Sequence, residues 1–274
     1  MNRQAHDRRS IVTAVAVIAI VSAVVWHGLR PTPLPPAQGI ILNRPDGIML
    51  ATTPVTLRLA TFNIHSGIGM DGVKDLKRIA SVLRNSDVVG LNEVRGFPGT
   101  LNDAKTLGDE LHMPWLFAPT EQRWWHDDFG NGVLCRLPIR SWRRTPLPAT
   151  RNYGFRNVVQ LAVEWYGRTL SVLITHVDNY QDRVTQLRIL GEMFASTSPP
   201  ALLMGDLNTT ATDPPLRRIL SSPGIVDAVG LKLRGASPER IDWIITRGLE
   251  TVNAGMTNRE ASDHSMVWAE VRVP

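Results

Sequence analysis

Cysteine is nearly absent from this chain of 274 residues, which contains only Cys135. A single cysteine excludes an intrachain disulfide framework and a thiolate metal cluster. Its neighbours Val133 and Leu134 are apolar, which predicts a buried structural thiol and not a nucleophile. The scarcity of cysteine also suits an oxidising compartment.

Excess charge is largely absent from the globular part of the chain. The formal net charge is +5, but the first 30 residues hold four arginines against one aspartate and so carry +3 of it. The remaining +2 is too small for a strong electrostatic footprint on duplex DNA. With 43% hydrophobic and 20% charged residues, the chain has an ordinary globular composition and enough length for one substantial core.

Long hydrophobic runs are absent except near the amino terminus. Residues 11–26 are apolar apart from one threonine and one serine, and the preceding residues 1–10 are polar and basic. Extended to Leu29, the run approaches the hydrocarbon thickness of a bilayer, about 30 Å. A core helix would show a polar stripe, which is missing here. We therefore predict a transmembrane signal-anchor over residues 11–29, with the basic flank in the cytoplasm and the rest of the chain outside.

The end of this run bears on cleavage. Val24, Val25 and Trp26 are too bulky for the small-residue spacing of a cleavage site, which favours an uncleaved single-pass anchor in the cell membrane. A cleaved signal, leaving a secreted or periplasmic protein, is the close alternative. Residues 30–54 contain six prolines and resemble a semi-rigid linker that would hold a domain of residues 55–274 off the bilayer.

Strand and helix patterns are mixed through the globular part. Apolar helical spacing predicts helices over residues 72–85, 100–112 and 181–196. A hairpin at Gly167 and several β-α units imply a layered α/β architecture with the helices outside. Alternating or wholly apolar runs predict strands over residues 57–64, 87–91, 132–135, 158–165, 169–175, 201–206, 241–246 and 265–273.

Polar side chains stand at the ends of these strands. In residues 205–208, Gly-Asp-Leu-Asn, a carboxylate and an amide two positions apart point the same way from the end of an apolar strand. Such a pattern alone is common in turns, but an acid beside an amide can also orient a water molecule and accept its proton. The other strand-end groups are Asn63, Glu93, His176, Asp242, Asp263 and His264.

Taken in order, these segments resemble the endonuclease/exonuclease/phosphatase superfamily, the metal-dependent phosphohydrolases related to DNase I, abasic-site endonucleases and bacterial sphingomyelinases. The resemblance spans residues 57–273. It implies a four-layer α/β sandwich with two central mixed β-sheets flanked by helices, and a site at their shared edge. The segments that carry it are residues 61–65, 89–94, 175–178, 205–208, 241–244 and 262–264.

The resemblance implies a metal and a base. Glu93 resembles the principal ligand of a divalent ion, with Asn63 completing the hydrogen-bonded shell and Asp263 at the metal edge. Oxygen ligands suit a hard ion, Mg²⁺ or Mn²⁺. Asp206, steadied by Asn208, resembles the group that orients and deprotonates the attacking water.

The resemblance also implies two histidines at the phosphate. His176 and His264 are similar to donors that contact phosphate oxygens, with His264 oriented by Asp242, an acid that is costly to bury in an apolar strand unless it is paired. Two positions depart from the usual pattern. Asn92 stands where many relatives have glutamine, and His65 stands where several nucleases carry an acid, so a second metal ligand there is in doubt.

Three further residues are candidates for substrate binding. Trp124 and Trp125 lie on a predicted loop and can stack on a base, enter a lipid interface or pack into the core. Arg183 lies on one helix face with Gln186 and either holds a phosphate or faces solvent.

The sequence therefore predicts a membrane-tethered, extracytoplasmic, metal-dependent phosphodiesterase, with nucleic acid slightly favoured as its substrate. The alternatives are a lipid-headgroup phosphodiesterase, a small-molecule phosphatase, and an inactive binding module of the same fold. The sequence gives no basis for inferring a protein partner.

Overall fold

A computed structural model describes residues 2–40, 42–43, 54–97, 100–233 and 239–274, with side chains from Val12 onward. The helices are α1 (Asn2–Leu29), α2 (Leu76–Leu83), α3 (Asp103–Leu111), α4 (Arg183–Ser196), α5 (Pro214–Leu220) and α6 (Ala228–Leu233). The strands are β1 (Thr32–Pro33), β2 (Ala37–Gly39), β3 (Leu57–Asn63), β4 (Val88–Gly96), β5 (Trp115–Gln122), β6 (Asp128–Cys135), β7 (Ile139–Pro146), β8 (Asn157–Trp165), β9 (Arg168–His176), β10 (Ala201–Asp206), β11 (Ile225–Asp227), β12 (Asp242–Arg247), β13 (Glu250–Met256) and β14 (Val267–Arg272).

These strands form two mixed sheets. In the described residues, one sheet has the order β1-β5-β6-β4-β3-β14-β13, and the other has the order β11-β12-β10-β9-β8-β7-β2. Leu59 and Val267 of the first sheet and Val172, Met204 and Ile244 of the second belong to one buried apolar cluster between the sheets. The burial of this apolar surface is the main force that holds the two sheets together.

Helices cover the outer faces of both sheets. Ile79 and Leu83 of α2 and Leu107 of α3 are buried against the first sheet. Leu190 of α4 and Leu216 of α5 are buried against the second. The predicted fold class, a four-layer α/β sandwich of the DNase I type, is confirmed.

Strand direction brings the polar strand ends together. β3 and β4 are parallel, with Asn63 opposite Asn92, and β9 and β10 are parallel, with His176 opposite Asp206. β12 runs antiparallel to β10, so Asp242, at the start of its strand, also lies opposite Asp206. The carboxyl ends of the parallel strands therefore meet at one edge of the sandwich, which we call the catalytic edge.

The amino-terminal helix is exposed and apolar. In α1, residues 12–27 are exposed, and Val12–Leu29 has a mean hydropathy of 2.2. Among the described residues this is the one helix that is long and apolar enough to cross a membrane, by length and composition only. It coincides with the predicted span of residues 11–29.

The described part of the predicted linker lies against the domain. Thr32 and Pro33 pair with β5, and residues 37–39 pair with β7. Asn43 forms an isolated bridge with Trp115. Proline is tolerated at these positions because edge strands need fewer backbone N–H donors. Residues 44–53 lie outside the described part of the chain.

Several elements were not predicted. Strands β5 and β7 contain proline or alternate poorly, as in Ile-Arg-Ser-Trp-Arg-Arg-Thr-Pro of β7. Strand β13 and the short helices α5 and α6 also lacked a periodic signal. β4 continues to Gly96, beyond the predicted end at Leu91, because a bulge between Leu91 and Val94 absorbs the polar residues Asn92 and Glu93.

Candidate active site

Asp206 lies at the centre of the catalytic edge and is buried. Its backbone N–H donates to Asn92 Oδ1 at 2.9 Å, and its Oδ1 accepts from the backbone N–H of Asn208 at 2.9 Å. Gly205 has a φ of +146°, and a Cβ at this position would lie 1.8 Å from the carbonyl oxygen of Thr175. Only glycine therefore lets the strand place the carboxylate here.

Asn63 joins two carboxylates. Its Nδ2 donates to Glu93 Oε1 at 3.1 Å and to Asp206 Oδ2 at 3.0 Å, and its Oδ1 accepts from the backbone N–H of His65 at 3.1 Å. Glu93 has a φ of +58° at the β4 bulge, a conformation that costs a non-glycine residue free energy and often occurs at functional sites. The bulge turns the half-buried Glu93 carboxylate toward Asn63.

His264 and Asp242 form a close pair. His264 Nδ1 lies 2.7 Å from Asp242 Oδ2, and His264 Nε2 lies 3.8 Å from Asp206 Oδ2. Ser262 fixes this loop, because its Oγ donates to the carbonyl oxygen of Asn63 at 2.7 Å and accepts from the His264 backbone N–H at 3.2 Å. The pairing gives Asp242 Oδ2 a charged partner, while Asp242 Oδ1 is buried with no partner in the described residues.

Burial and neighbouring charges shift the pKa values of His264 and of Asp206. Burial lowers the pKa of His264, but the hydrogen bond with Asp242 and the negative charges of Asp242 and Asp206 outweigh burial and raise that pKa to about 9. Burial, together with the charge of Asp242, raises the pKa of Asp206 to about 7. The ring of His264 is therefore cationic at neutral pH.

His176 is neutral. Burial and then the positive charges of Arg156 and His264 hold its pKa well below the usual value for histidine. Its Nε2 lies 3.1 Å from Asn208 Nδ2 and 3.5 Å from Asp206 Oδ2, and its Nδ1 is buried without a partner in the described residues. His176 therefore lies against the Asp206 carboxylate and the Asn208 amide.

The oxygen donors suit a hard cation. Carboxylates of Glu93 and Asp206 share one Asn63 amide, and ligand atoms of Asp206, Asp242 and His264 lie within 4.8 Å of one another. Carboxylate oxygens are the ligands that Mg²⁺ and Mn²⁺ prefer, so the residues present fit such an ion. Asn63 turns its amide nitrogen to the carboxylates and its oxygen to the backbone N–H of His65, so it holds Glu93 through a hydrogen bond.

Asp263 lies at the rim of this cluster. Its side chain is about half exposed, at 48%, and its Oδ1 lies 3.8 Å from His65 Nδ1 and 3.2 Å from Ser262 Oγ. Its carboxylate is thus next to the cluster and open to solvent.

The predicted substrate-binding residues lie outside the cluster. Arg183 donates through Nη1 to the carbonyl oxygen of Asn208 at 3.0 Å, so it braces the loop after β10. Trp124 and Trp125 lie on the loop between β5 and β6 and are exposed by 71% and 49%. The structure therefore places neither tryptophan among the catalytic side chains and neither in the core.

A buried amide network was missed at the sequence level. Asn92 Nδ2 donates to Asn131 Oδ1 at 2.7 Å and to the carbonyl oxygen of Thr175 at 3.0 Å. Asn131 Nδ2 in turn donates to Asn157 Oδ1 at 2.9 Å. These amides join the two sheets beneath Asp206, and their only signal in the sequence is a polar residue in or beside an apolar strand.

Arg156 was also missed. It is half-buried, its Nε has no partner in the described residues, and its guanidinium lies 5.8 Å from the ring of Phe129. Burial lowers its pKa, while the charges of Asp178, Glu93 and Asp206 raise it. Arg156 is therefore a cation next to the acidic cluster, and an arginine before a strand gave no signal of that position.

Two packed sheets with carboxylates and histidines at one edge define a metal-dependent phosphohydrolase of the DNase I-like fold. A family model described as the Endonuclease/Exonuclease/phosphatase family matches residues 60–264, and the chain belongs to that family. Its members are phosphoric ester hydrolases that depend on a divalent metal, so the predicted enzyme class is confirmed. A search of curated proteins gave no match.

Solved structures share the fold. An endonuclease/exonuclease/phosphatase from Beutenbergia cavernae is 24% identical, with 80% of this chain and 72% of that chain covered and a TM-score of 0.63. A humanized D. rerio TDP2 is 18% identical, with coverages of 80% and 100% and a TM-score of 0.61. Sphingomyelinase C from Streptomyces griseocarneus is 16% identical, with coverages of 80% and 99% and a TM-score of 0.56.

Proposed function

We propose that this protein is a membrane-tethered phosphodiesterase whose domain lies outside the cytoplasm and which cleaves its substrate with a water molecule activated by Asp206. The observation that carries the proposal is that three side-chain nitrogen atoms converge on Asp206 Oδ2. Asn63 Nδ2 lies 3.0 Å from it, His176 Nε2 3.5 Å and His264 Nε2 3.8 Å. A carboxylate held this way accepts a proton from water while its neighbours fix its direction.

The cationic His264 is suited to the phosphate. Asp242 accepts a hydrogen bond from His264 Nδ1–H, which leaves the Nε2–H free to donate to a phosphate oxygen as negative charge develops there. His176 is better suited to positioning than to donation. Its Nε2 faces the Asn208 amide and its Nδ1 is buried. We therefore assign His176 the role of orienting the side chains of Asp206 and Asn208.

The metal site is proposed at Glu93, with Asp263 at its open side and Asn63 holding the carboxylate. A bound Mg²⁺ or Mn²⁺ would polarise the phosphate and offset its charge. Glu93 supplies the ligand oxygen, and the hydrogen bond from Asn63 orients it.

Nucleic acid and a lipid headgroup are the two candidate substrates. One neighbour of the same fold, D. rerio TDP2, has been solved with a single-stranded DNA product, and another is a sphingomyelinase C. The exposed Trp124 and Trp125 favour the second candidate, because aromatic side chains are enriched at membrane–water interfaces.

Hydrolysis of bis-p-nitrophenyl phosphate tests the reaction. Full-length protein in detergent should release p-nitrophenol with Mg²⁺ and lose this activity with a chelator, and Asp206→Ala should abolish it. Asp109→Asn is the matched control, because Asp109 is an exposed acid that pairs with Lys105 on α3. Activity that resists both the chelator and Asp206→Ala would contradict the proposal, and no turnover at all would indicate a binding module.

Cell fractionation tests the membrane anchor, and a panel of substrates tests the substrate class. An uncleaved anchor predicts recovery of the full chain in the membrane fraction, whereas a soluble chain that starts after residue 26 would indicate a cleaved signal. Plasmid DNA, RNA, sphingomyelin and inositol phosphates, assayed side by side, separate nuclease, lipid phosphodiesterase and phosphatase.

A further inference from the structure

The catalytic edge carries exposed apolar side chains on three neighbouring loops. We call them the apolar rim: Met70 (65% exposed), Phe97 (51%), Leu101 (74%), Trp124 (71%) and Trp125 (49%). They follow β3, β4 and β5, which belong to one sheet in the order β5-β6-β4-β3. Exposed apolar patches of this kind commonly mark a protein or membrane interaction site.

Arg95 ties these loops to one another. Its Nη1 lies 3.6 Å from Asp127 Oδ1 in the loop after β5, and its Nε lies 3.3 Å from Ser66 Oγ in the loop after β3. Arg95 is two residues beyond Glu93 on the same strand, so the rim borders the catalytic cluster. Phe129, at the start of β6, lies 6.4 Å from the ring of His176, measured between centroids.

The apolar helix α1 ends at the same edge. A Cβ on Gly28 would lie 2.8 Å from the indole of Trp125, so the end of α1 lies against the rim. Thr32 then pairs with Gln122, the last residue of β5. The segment between Leu29 and Thr32 spans at most roughly 10 Å when fully extended, so the helix end and this edge cannot separate further.

From these contacts we propose that the apolar rim is a membrane-contact surface, which lies in the headgroup layer of the bilayer crossed by α1 and turns the catalytic edge toward that bilayer. The inference rests on the membrane anchor of the proposed function. The bilayer is the occupant because the rim is continuous with the one apolar helix of the described chain that is long enough to span it. Arg30, 3.4 Å from the ring centroid of Trp26, adds a cation at the same level, where lipid phosphates lie.

This orientation bears on the substrate. A catalytic edge held at the bilayer surface has its scissile phosphate within reach in the headgroup layer, whereas a rigid duplex would have to enter between the rim and the lipid. The surface therefore favours the lipid headgroup over duplex nucleic acid.

Site-directed fluorescence in proteoliposomes tests this surface. Two full-length variants, Trp124→Cys and Leu101→Cys, are each labelled with a thiol-reactive fluorophore. The Leu101→Cys variant keeps both tryptophans of the rim. Quenching is then measured with doxyl-labelled lipid and with aqueous iodide. The native Cys135 is buried and so stays unlabelled.

Two positions serve as references. Arg168→Cys is at the start of β9, eight residues before His176, about 26 Å from the catalytic edge at the usual rise per residue. Val15→Cys lies in α1. The proposal predicts that lipid quenches positions 15, 101 and 124, while iodide quenches position 168.

The outcomes distinguish a failure of the membrane-contact surface from a failure of the membrane anchor. If position 15 is quenched by lipid and positions 101 and 124 behave like 168, the anchor stands and the membrane-contact surface is wrong. If position 15 is itself quenched by iodide, the anchor of the proposed function fails and the surface fails with it.

Discussion

His264 Nδ1 lies 2.7 Å from Asp242 Oδ2, although the two residues are 22 positions apart. Asp242 is buried at the start of β12, directly before the apolar residues 243–245, and His264 follows on a loop that Ser262 fixes to β3. The pair therefore links a cationic ring to the site and gives one oxygen of a buried acid its partner.

Replacing Asp242 should neutralise His264 at neutral pH. The wild-type pKa of about 9 is raised by Asp242 against the effect of burial, so Asp242→Asn should lower it toward or below the ordinary value of 6.5. The stabilisation from this pair is present below pH 6.5 and is lost as the pH rises through about 9. NMR titration of the histidine ring in metal-free protein measures the shift. An unchanged His264 pKa in the variant would contradict the role given to Asp242.

The substitution Asp242→Asn should lower kcat by a larger factor than it changes KM. If His264 donates to the developing charge on phosphate, its loss of charge should cost on the order of 100-fold in kcat, within the range for general acid–base groups. Steady-state kinetics at pH 7 measure this. A change confined to KM would instead indicate a role in substrate binding.

Asn92→Ala should destabilise the fold near the site. The substitution leaves the backbone N–H of Asp206 and the carbonyl oxygen of Thr175 buried and unpaired. Each such group costs about 1–3 kcal/mol, so we expect a loss of roughly 2–6 kcal/mol in the free energy of unfolding. Urea unfolding measures it. Asn152→Ala, at an exposed asparagine, is the control and should change stability little.

Gly205→Ala should be far more disruptive than Gly72→Ala. Both glycines have positive φ, but a Cβ on Gly205 would lie 1.8 Å from the carbonyl oxygen of Thr175, whereas one on Gly72 meets nothing within 4 Å. The second change should cost only the conformational penalty, about 1–2 kcal/mol. Thermal unfolding of the two variants compares them. Equal losses would mean that β10 relaxes away from β9.

Cys135 should be inert in the folded protein. Burial raises its pKa to about 12, so the thiolate is scarce at pH 8.5, whereas an exposed thiol with a pKa near 9 is partly ionised there. Reaction with a chromogenic disulfide reagent should therefore be slow in buffer and complete in denaturant. Rapid reaction of the native thiol would place Cys135 nearer the surface.

Much of the fold was predictable because its cues are local. Apolar runs that end in polar side chains marked the central strands, and the rule that parallel strands end at one edge placed Asn63, Glu93, His176 and Asp206 together. An acid in an apolar strand likewise required a partner, which the structure shows to be His264.

The remaining features depend on relations between distant segments. Asn92 and Asn157 are linked through Asn131 only because two sheets pack face to face, and nothing near these residues in the sequence indicates their partners. Proline in the amino-terminal segment favoured a linker, yet edge pairing with β5 places that segment on the domain. Strand β7 follows a weak pattern because it is next to the edge of its sheet, where its outer neighbour is the three-residue strand β2.

The most direct test of the central claim is the Mg²⁺ dependence of bis-p-nitrophenyl phosphate hydrolysis by wild type, Glu93→Gln and Asp109→Asn. Wild type and Asp109→Asn should show the same half-saturating Mg²⁺ concentration. Glu93→Gln should need at least 10- to 100-fold more metal, roughly the loss seen when a ligand or its support is removed. Equal metal dependence in all three proteins, or full turnover in a chelator, would contradict the account.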